Sequence, residues 1–156
     1  MLREQGFEVL GLHADLGLTN PAQAARLREL AAFLRIRLEI IPLREAFRKQ
    51  VKEYLMAEYR EARTPNPCVV CNRTIKFDRL FHAAREMGAE HFGTGHYARI
   101  LPCPWGRGST IGRGVDPAKD QSYFLHRLDP EVLPHLLFPL GDRTKAEVKT
   151  LARELG

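Results

Sequence analysis

Two thiols three residues apart, Cys68 and Cys71, stand in the stretch TPNPCVVCN at 64–72. A Cys-x-x-Cys pair can act as a redox couple, as half of a metal site, or as a reactive thiol with a neighbour. Arg73 and Lys76 follow closely. Positive charge nearby favours the thiolate, the form that attacks electrophiles. Pro65 and Pro67 are expected to keep this stretch out of regular helix and to make it a stiff loop that holds a thiol at a fixed place on the surface. The bland alternative is a pair of buried structural cysteines. Cys103 is the third cysteine, and an odd count without a secretion signal argues against a disulfide framework.

A second group is Gly93-Thr94-Gly95-His96. At the carboxyl end of a parallel strand, glycines let the backbone approach a phosphate or a base closely. A tight turn with an exposed histidine would read the same way. A third group, Lys119-Asp120-Gln121-Ser122, combines a cation, an anion and two hydrogen-bonding side chains. That set suits a nucleic-acid contact, and it equally suits a solvated loop leading into YFLHRL.

The elements that must position these groups alternate. EVLGLH at 8–13 reads as a buried strand. Asn20-Pro21 starts a helix whose Leu27, Leu30, Ala31 and Leu34 fall on one face. RLEII at 37–41 reads as a second strand closed by Pro42, and Phe47, Val51 and Leu55 mark a second helix to about Tyr59. Strand, helix, strand, helix points to a parallel α/β sheet. Helical period resumes at Lys76 and stops at Gly88; residues 99–114 form a loop or hairpin. Asp129-Pro130 opens a short helix, and Thr144 with Glu147 forms a capping box for a last one.

The 156 residues suffice for one domain with a core, and 44% hydrophobic with 28% charged residues is an ordinary globular balance. Lys and Arg outnumber Asp and Glu by 24 to 19, and the sequence pI is about 9.4. This excess suits RNA as a partner, or a solvated basic surface. No apolar run approaches membrane-spanning length and the N-terminus does not resemble a signal peptide, so a cytoplasmic location is expected.

Four segments, TPNPCVVCNRTIKF, GTGHYARI, DPAKDQSYFLHRL and FPLGDRTKAEVK, occur in the order and spacing of the tRNA-specific 2-thiouridylases of the MnmA/TrmU family. The chain resembles an internal piece of such an enzyme over nearly its whole length. The resemblance implies a Rossmann-like parallel sheet of the PP-loop ATP pyrophosphatase type. It implies ATP-dependent adenylation, with Mg2+, of the C2 oxygen of the wobble uridine in tRNAs for Lys, Glu and Gln. Sulfur then comes from a cysteine persulfide charged by a donor protein. It assigns Cys71 as the catalytic nucleophile and Asn66, Pro67 and Cys68 as contacts to the target base. Gly95 and Ala14 become ATP contacts, Ala14 standing where the family often has Met. His96, Lys119, Asp120 and Gln121 become tRNA contacts.

The chain also departs from the family. No SGGVDSS-type phosphate loop occurs in it, and LREQGFEV corresponds to the end of the helix after that loop. The persulfide cysteine belongs to a later GICF-like segment, and Cys103 does not match it. The first strand of the sheet and the C-terminal β domains are expected to be missing. An absent central strand would leave unpaired backbone and exposed apolar faces, hence marginal stability or self-association. The expected division is a partial nucleotide-binding domain at 1–98, a loop or hairpin at 99–118, and a helical tRNA-contact region at 119–156. Two alternatives stand beside a thiolating enzyme. One is a non-catalytic tRNA-binding module. The other is a metal or iron–sulfur protein using Cys68, Cys71 and Cys103 with His96 as a fourth ligand, although the resemblance leads us to expect no bound cluster.

Overall fold

Strand β1 (Leu10–Asp15) runs parallel to β2 (Arg37–Pro42), in register from Leu10 opposite Arg37 to Asp15 opposite Pro42. The computed structural model describes residues 1–155, and the chain divides into two units, Met1–Ala89 and Glu90–Gly156.

In the first unit, helix α1 (Pro21–Phe33) connects the two strands. Its start is the one expected. The Asn20 side chain accepts from the backbone N–H of Gln23 at 2.8 Å, and the Gln23 side chain accepts from that of Asn20 at 3.0 Å. This capping box satisfies N–H groups that have no partner inside the helix. The apolar face expected on α1 is covered only in part. Ala31 is buried, whereas Leu30 and Leu34, together with Phe33, are exposed. Helical spacing identifies a face but not what covers it; here Ala31 is the buried residue of the helix and the larger side chains project outward.

The second helix is longer and less regular than its spacing suggests. α2 (Arg44–Phe47) passes through a π-helical turn, Arg48–Lys52, into α3 (Glu53–Arg60), with Val51 buried. It ends where Ala62 takes a left-handed conformation, φ 55°, and Arg63 folds back onto Glu58 at 2.7 Å. The prolines that follow do not make a loop. Helix α4 (Pro67–Cys71) begins at Pro67 and continues through a π-helical stretch, Asn72–Leu80, into α5 (Phe81–Glu86). Proline breaks a helix interior but suits its first position, where no N–H partner is required and φ is already helical. Val69, Ile75, Phe77, Leu80, Phe81 and Ala84 bury one face of this helix. It ends as expected at Gly88, φ 87°.

In the second unit, β3 (Phe92–Gly93) pairs in parallel with β6 (Leu136–Leu137). The segment expected as a loop or hairpin is a hairpin, β4 (Ala98–Pro102) against β5 (Ser109–Arg113), antiparallel. Asp129 caps a 3-10 turn, Pro130–His135, and Thr144 and Glu147 form the expected capping box on α6 (Lys145–Glu154). Ala98, Leu125, Val132, Leu133, Leu136 and Phe138 form the core.

Candidate functional site

The thiols sit at the start of a helix. The Asn66 side chain caps α4 by accepting from the backbone N–H of Val69 at 3.3 Å, and Pro67 occupies the first turn. Asn66, Pro67, Cys68 and Cys71 are thus brought together on one cap and one turn. Cys68 is exposed and Cys71 half-buried, and both are free thiols. Burial pushes the Cys71 thiol above its ordinary pKa, the Lys76 ammonium pulls it down, and Cys68 adds a small upward push. Lys76 thus acts in the direction its place in the sequence suggests, but it is not the larger effect. Desolvation outweighs the charge. Cys71 rests as a thiol that a base or a change of surroundings must deprotonate.

Helix α4 packs against the π-helical turn Arg48–Lys52. That turn holds Gln50, whose Oε1 is buried without a hydrogen-bond partner. π turns and unsatisfied buried acceptors both concentrate at functional positions. The sequence gives no sign of Gln50, because a π turn differs from an α turn by one residue of register and leaves the apolar spacing nearly unchanged.

Ala14 lies half-buried opposite Ile41, one residue before β1 ends. Beyond it, Asp15 organises the turn. Its Oδ1 accepts from the backbone N–H of Gly17 at 2.9 Å, and its carbonyl accepts from that of Leu43 at 2.8 Å. The Gly17 bond, with help from Thr19, holds the Asp15 carboxyl below its usual pKa. His13 Nε2 meets Thr19 Oγ1 at 3.0 Å.

In the second unit, Gly95 is exposed in the turn after β3, while His96 is buried. The histidine ring lies edge-on to Phe138, with centroids 5.9 Å apart, and its Nδ1 is 2.7 Å from Thr94 Oγ1. This is neither a solvent-exposed ring nor an isolated one; it braces the Gly95 turn from within.

The Lys-Asp-Gln group divides by role. Lys119 is exposed. Asp120 faces inward: its Oδ1 accepts from Gly114 N–H at 2.9 Å and from Ser122 N–H at 3.3 Å, its Oδ2 accepts from Ser122 Oγ at 2.8 Å, and Arg113 Nε lies 3.6 Å away. Burial alone would raise the Asp120 pKa, but the bonds from Gly114 and Ser122, with the Arg113 charge, outweigh it and leave it lowered. Gln121 accepts from the Tyr97 N–H at 3.0 Å and returns a bond to the Tyr97 carbonyl at 2.9 Å. Tyr97 directly follows His96, so Gln121 is tied to the Gly95-His96 turn. The buried Tyr97 hydroxyl, which has no hydrogen-bond partner, is a further feature that sequence reasoning missed. Among the described residues, no three His, Cys, Asp or Glu side chains gather to hold a metal ion.

A family model described as the tRNA methyl transferase HUP domain matches residues 1–156. The chain belongs to this family. The α/β folding with parallel strand pairs agrees with membership. The chain is 46% identical over 154 residues to the tRNA-specific 2-thiouridylase MnmA of Syntrophomonas wolfei subsp. wolfei, covering 98% of this chain and 45% of that protein. It is 42% identical over 158 residues to the tRNA-specific 2-thiouridylase MnmA of Sulfurimonas denitrificans, covering 99% and 44%. To that of Helicobacter hepaticus it is 38% identical over 158 residues, covering 99% and 45%. The chain thus spans under half the length of these curated relatives. The family description speaks of methyl transfer and the relatives' names of thiolation. No described helix is long and apolar enough to cross a membrane.

Proposed function

We propose that this chain carries the thiol-bearing and tRNA-facing part of a tRNA-uridine 2-sulfurtransferase acting in the cytoplasm. The observation that carries the reading is the Asn66-capped helix, which sets Cys68 and Cys71 on its first turn beside Lys76. Sulfur transfer needs a thiol, and two stand together on this helix. This favours the activity in the relatives' names over the one in the family description.

ATP with Mg2+, when bound, supplies the adenylyl group that makes the uracil C2 oxygen a leaving group. Ala14 and Gly95 suit an ATP contact because each lies at or just past the carboxyl end of a parallel strand, where α/β folds take nucleotides. Around Gly95 an added Cβ would meet nothing nearer than Leu140 Cδ1 at 3.6 Å, so the backbone there is open to a ligand. Asn66, Pro67 and Cys68 take the target base, with Cys68 exposed toward it. Cys71 gives up its proton, and its thiolate attacks the inner sulfur of a persulfide, R–S–SH. A Cys71–S–S–R disulfide forms and hydrosulfide leaves, to bond C2 in place of the oxygen. Lys76 favours the thiolate in this step. Lys119 meets tRNA phosphate. Asp120, Gln121 and His96 act by holding the Lys119 loop and the Gly95 turn in shape.

The partners are tRNAs of the Lys, Glu and Gln type and a persulfide-bearing donor protein. The exposed Leu30, Phe33 and Leu34 row supports self-association of the isolated chain, which sedimentation across a concentration series tests.

The experiment is thiolation of an unmodified tRNA transcript by the chain with ATP, Mg2+ and a persulfide source, with Cys71→Ser as the control. Thiouridine that forms with the wild type and not with Cys71→Ser supports the reading. Tight tRNA binding with no thiolation under any sulfur source leaves the chain a tRNA-binding module instead.

A further inference from the structure

Hairpin β4–β5 is basic. Residues 98–113, ARILPCPWGRGSTIGR, contain three arginines and no acidic residue. Its turn carries Trp105, the sole tryptophan, which is 89% exposed. The turn is fixed rather than frayed, since Cys103 N–H donates to the Gly108 carbonyl at 3.0 Å across it. Trp105 therefore contributes almost no burial to folding. A single exposed apolar residue is unremarkable by itself. Here, however, Arg107 is exposed two residues on, and Arg113 is exposed where β5 ends.

Strand β5 also forms one wall of a cavity of about 420 Å³. Ser109, Thr110 and Ile111 line that wall, the exposed Tyr123 and His126 also line the cavity, and Leu125, Leu128 and Leu133 supply apolar lining. Hydroxyls, an aromatic face and a histidine around a space of this size match what a nucleotide offers: polar edges, a flat ring and an anion. Arg113 faces Asp120 at 3.6 Å and Arg99 faces Asp142 at 3.8 Å, which leaves the exposed Arg107 beside Trp105 as the hairpin cation that suits a phosphate.

We propose that the hairpin and this cavity form an RNA-binding surface for unpaired nucleotides, with Trp105 stacking on one base and the β5 cavity receiving another. The inference rests on the reading of the chain as tRNA-facing and adds to it a binding surface centred on Trp105 and the β5 residues Ser109, Thr110 and Ile111, which lie outside the four segments of the family resemblance. An acidic peptide could meet the arginines, but it has no flat ring for an indole at the turn or for Tyr123 at the cavity.

Because Trp105 is the only tryptophan, emission excited at 295 nm reports this turn alone. The 156-residue chain is titrated with an unmodified tRNA transcript while affinity is read separately from the anisotropy of end-labelled tRNA. The expected result is quenched emission, protection from acrylamide, and a loss of affinity on the order of tenfold for Trp105→Ala, with Trp105→Phe close to wild type. A blunt RNA duplex should bind at low salt without quenching. Circular dichroism checks that the variants keep the wild-type fold, as a substitution at an exposed turn should. If tRNA binds but emission and the Trp105→Ala affinity are unchanged, this inference is overturned and the tRNA-facing reading stands. If tRNA does not bind at low salt, both fall. Equal quenching by poly-glutamate overturns base stacking in favour of an acidic polypeptide.

Discussion

The backbone N–H of Tyr97 donates to Gln121 Oε1 at 3.0 Å, and the N–H of Gln121 donates back to the Tyr97 carbonyl at 2.9 Å. Twenty-four residues apart in sequence, the two close a reciprocal pair beside the Gly95-His96 turn. Tyr97 is buried, so water cannot readily replace the side-chain acceptor.

Gln121→Ala should therefore leave a buried N–H unsatisfied and cost about 1–3 kcal/mol. Gln121→Glu keeps an acceptor at the same reach and should cost less. Urea unfolding of the chain measures both. Equal stability of wild type and Gln121→Ala would mean that Gln121 is free to face a ligand instead.

Asp120 gives a pH signature. Its carboxyl is held below the usual range, so its contribution to stability is complete above the unfolded value of about 4 and is lost as pH falls through the lower folded value. Asp120→Asn removes the charge and weakens the bonds from Gly114 and Ser122. The variant should be less stable at pH 7 by on the order of 1 kcal/mol, and the gap should close as pH drops below 4. Comparing the two proteins by urea unfolding across that range isolates Asp120 from the other carboxylates. A constant gap at all pH values would remove the assignment.

Local chemistry was legible from the sequence where it is written in adjacent residues. The Asn20 and Thr144 capping boxes, the Gly88 stop and the parallel pairing of β1 and β2 all follow from spacing. Pro67 misled because the same ring that excludes the interior of a helix suits its first turn, and sequence alone does not say which applies. Asn66, directly before Pro67, was the missing signal for a cap. The Lys119-Asp120-Gln121 group read as one polar contact because its residue types do not reveal that Asp120 and Gln121 turn inward to backbone N–H groups. Gln50 and the Tyr97 hydroxyl were invisible, since being left unsatisfied is a property of the packed structure.

The two thiols of α4 should differ in reactivity. Cys68 is exposed, whereas burial raises the pKa of Cys71. At pH 8, iodoacetamide should label Cys68 first, as peptide mass mapping would show. Lys76→Gln removes the charge that favours the Cys71 thiolate and should slow its labelling further. Cys68→Ser removes a neighbour that opposes ionisation and should speed it. Faster labelling of Cys71 in Lys76→Gln would reverse the electrostatic account.

Gly141, inside FPLGDRTK, carries a requirement that no hydrophobic pattern announces. A Cβ built there would lie 1.9 Å from the carbonyl oxygen of Ala98, an atom of the backbone of β4. Ala98 is fully buried, and the Gly141 carbonyl accepts from Val115 N–H at 2.9 Å, so neither side can retreat without breaking other contacts. Gly141→Ala should cost about 3 kcal/mol or more, with the strain falling on the base of the hairpin. Gly106, in the hairpin turn, has nothing within 4 Å of its Cβ position, and Gly106→Ala should stay within about 0.5 kcal/mol of wild type. Thermal and urea unfolding of the two variants make the comparison, and a mild effect at Gly141 would show that β4 can shift away from the glycine.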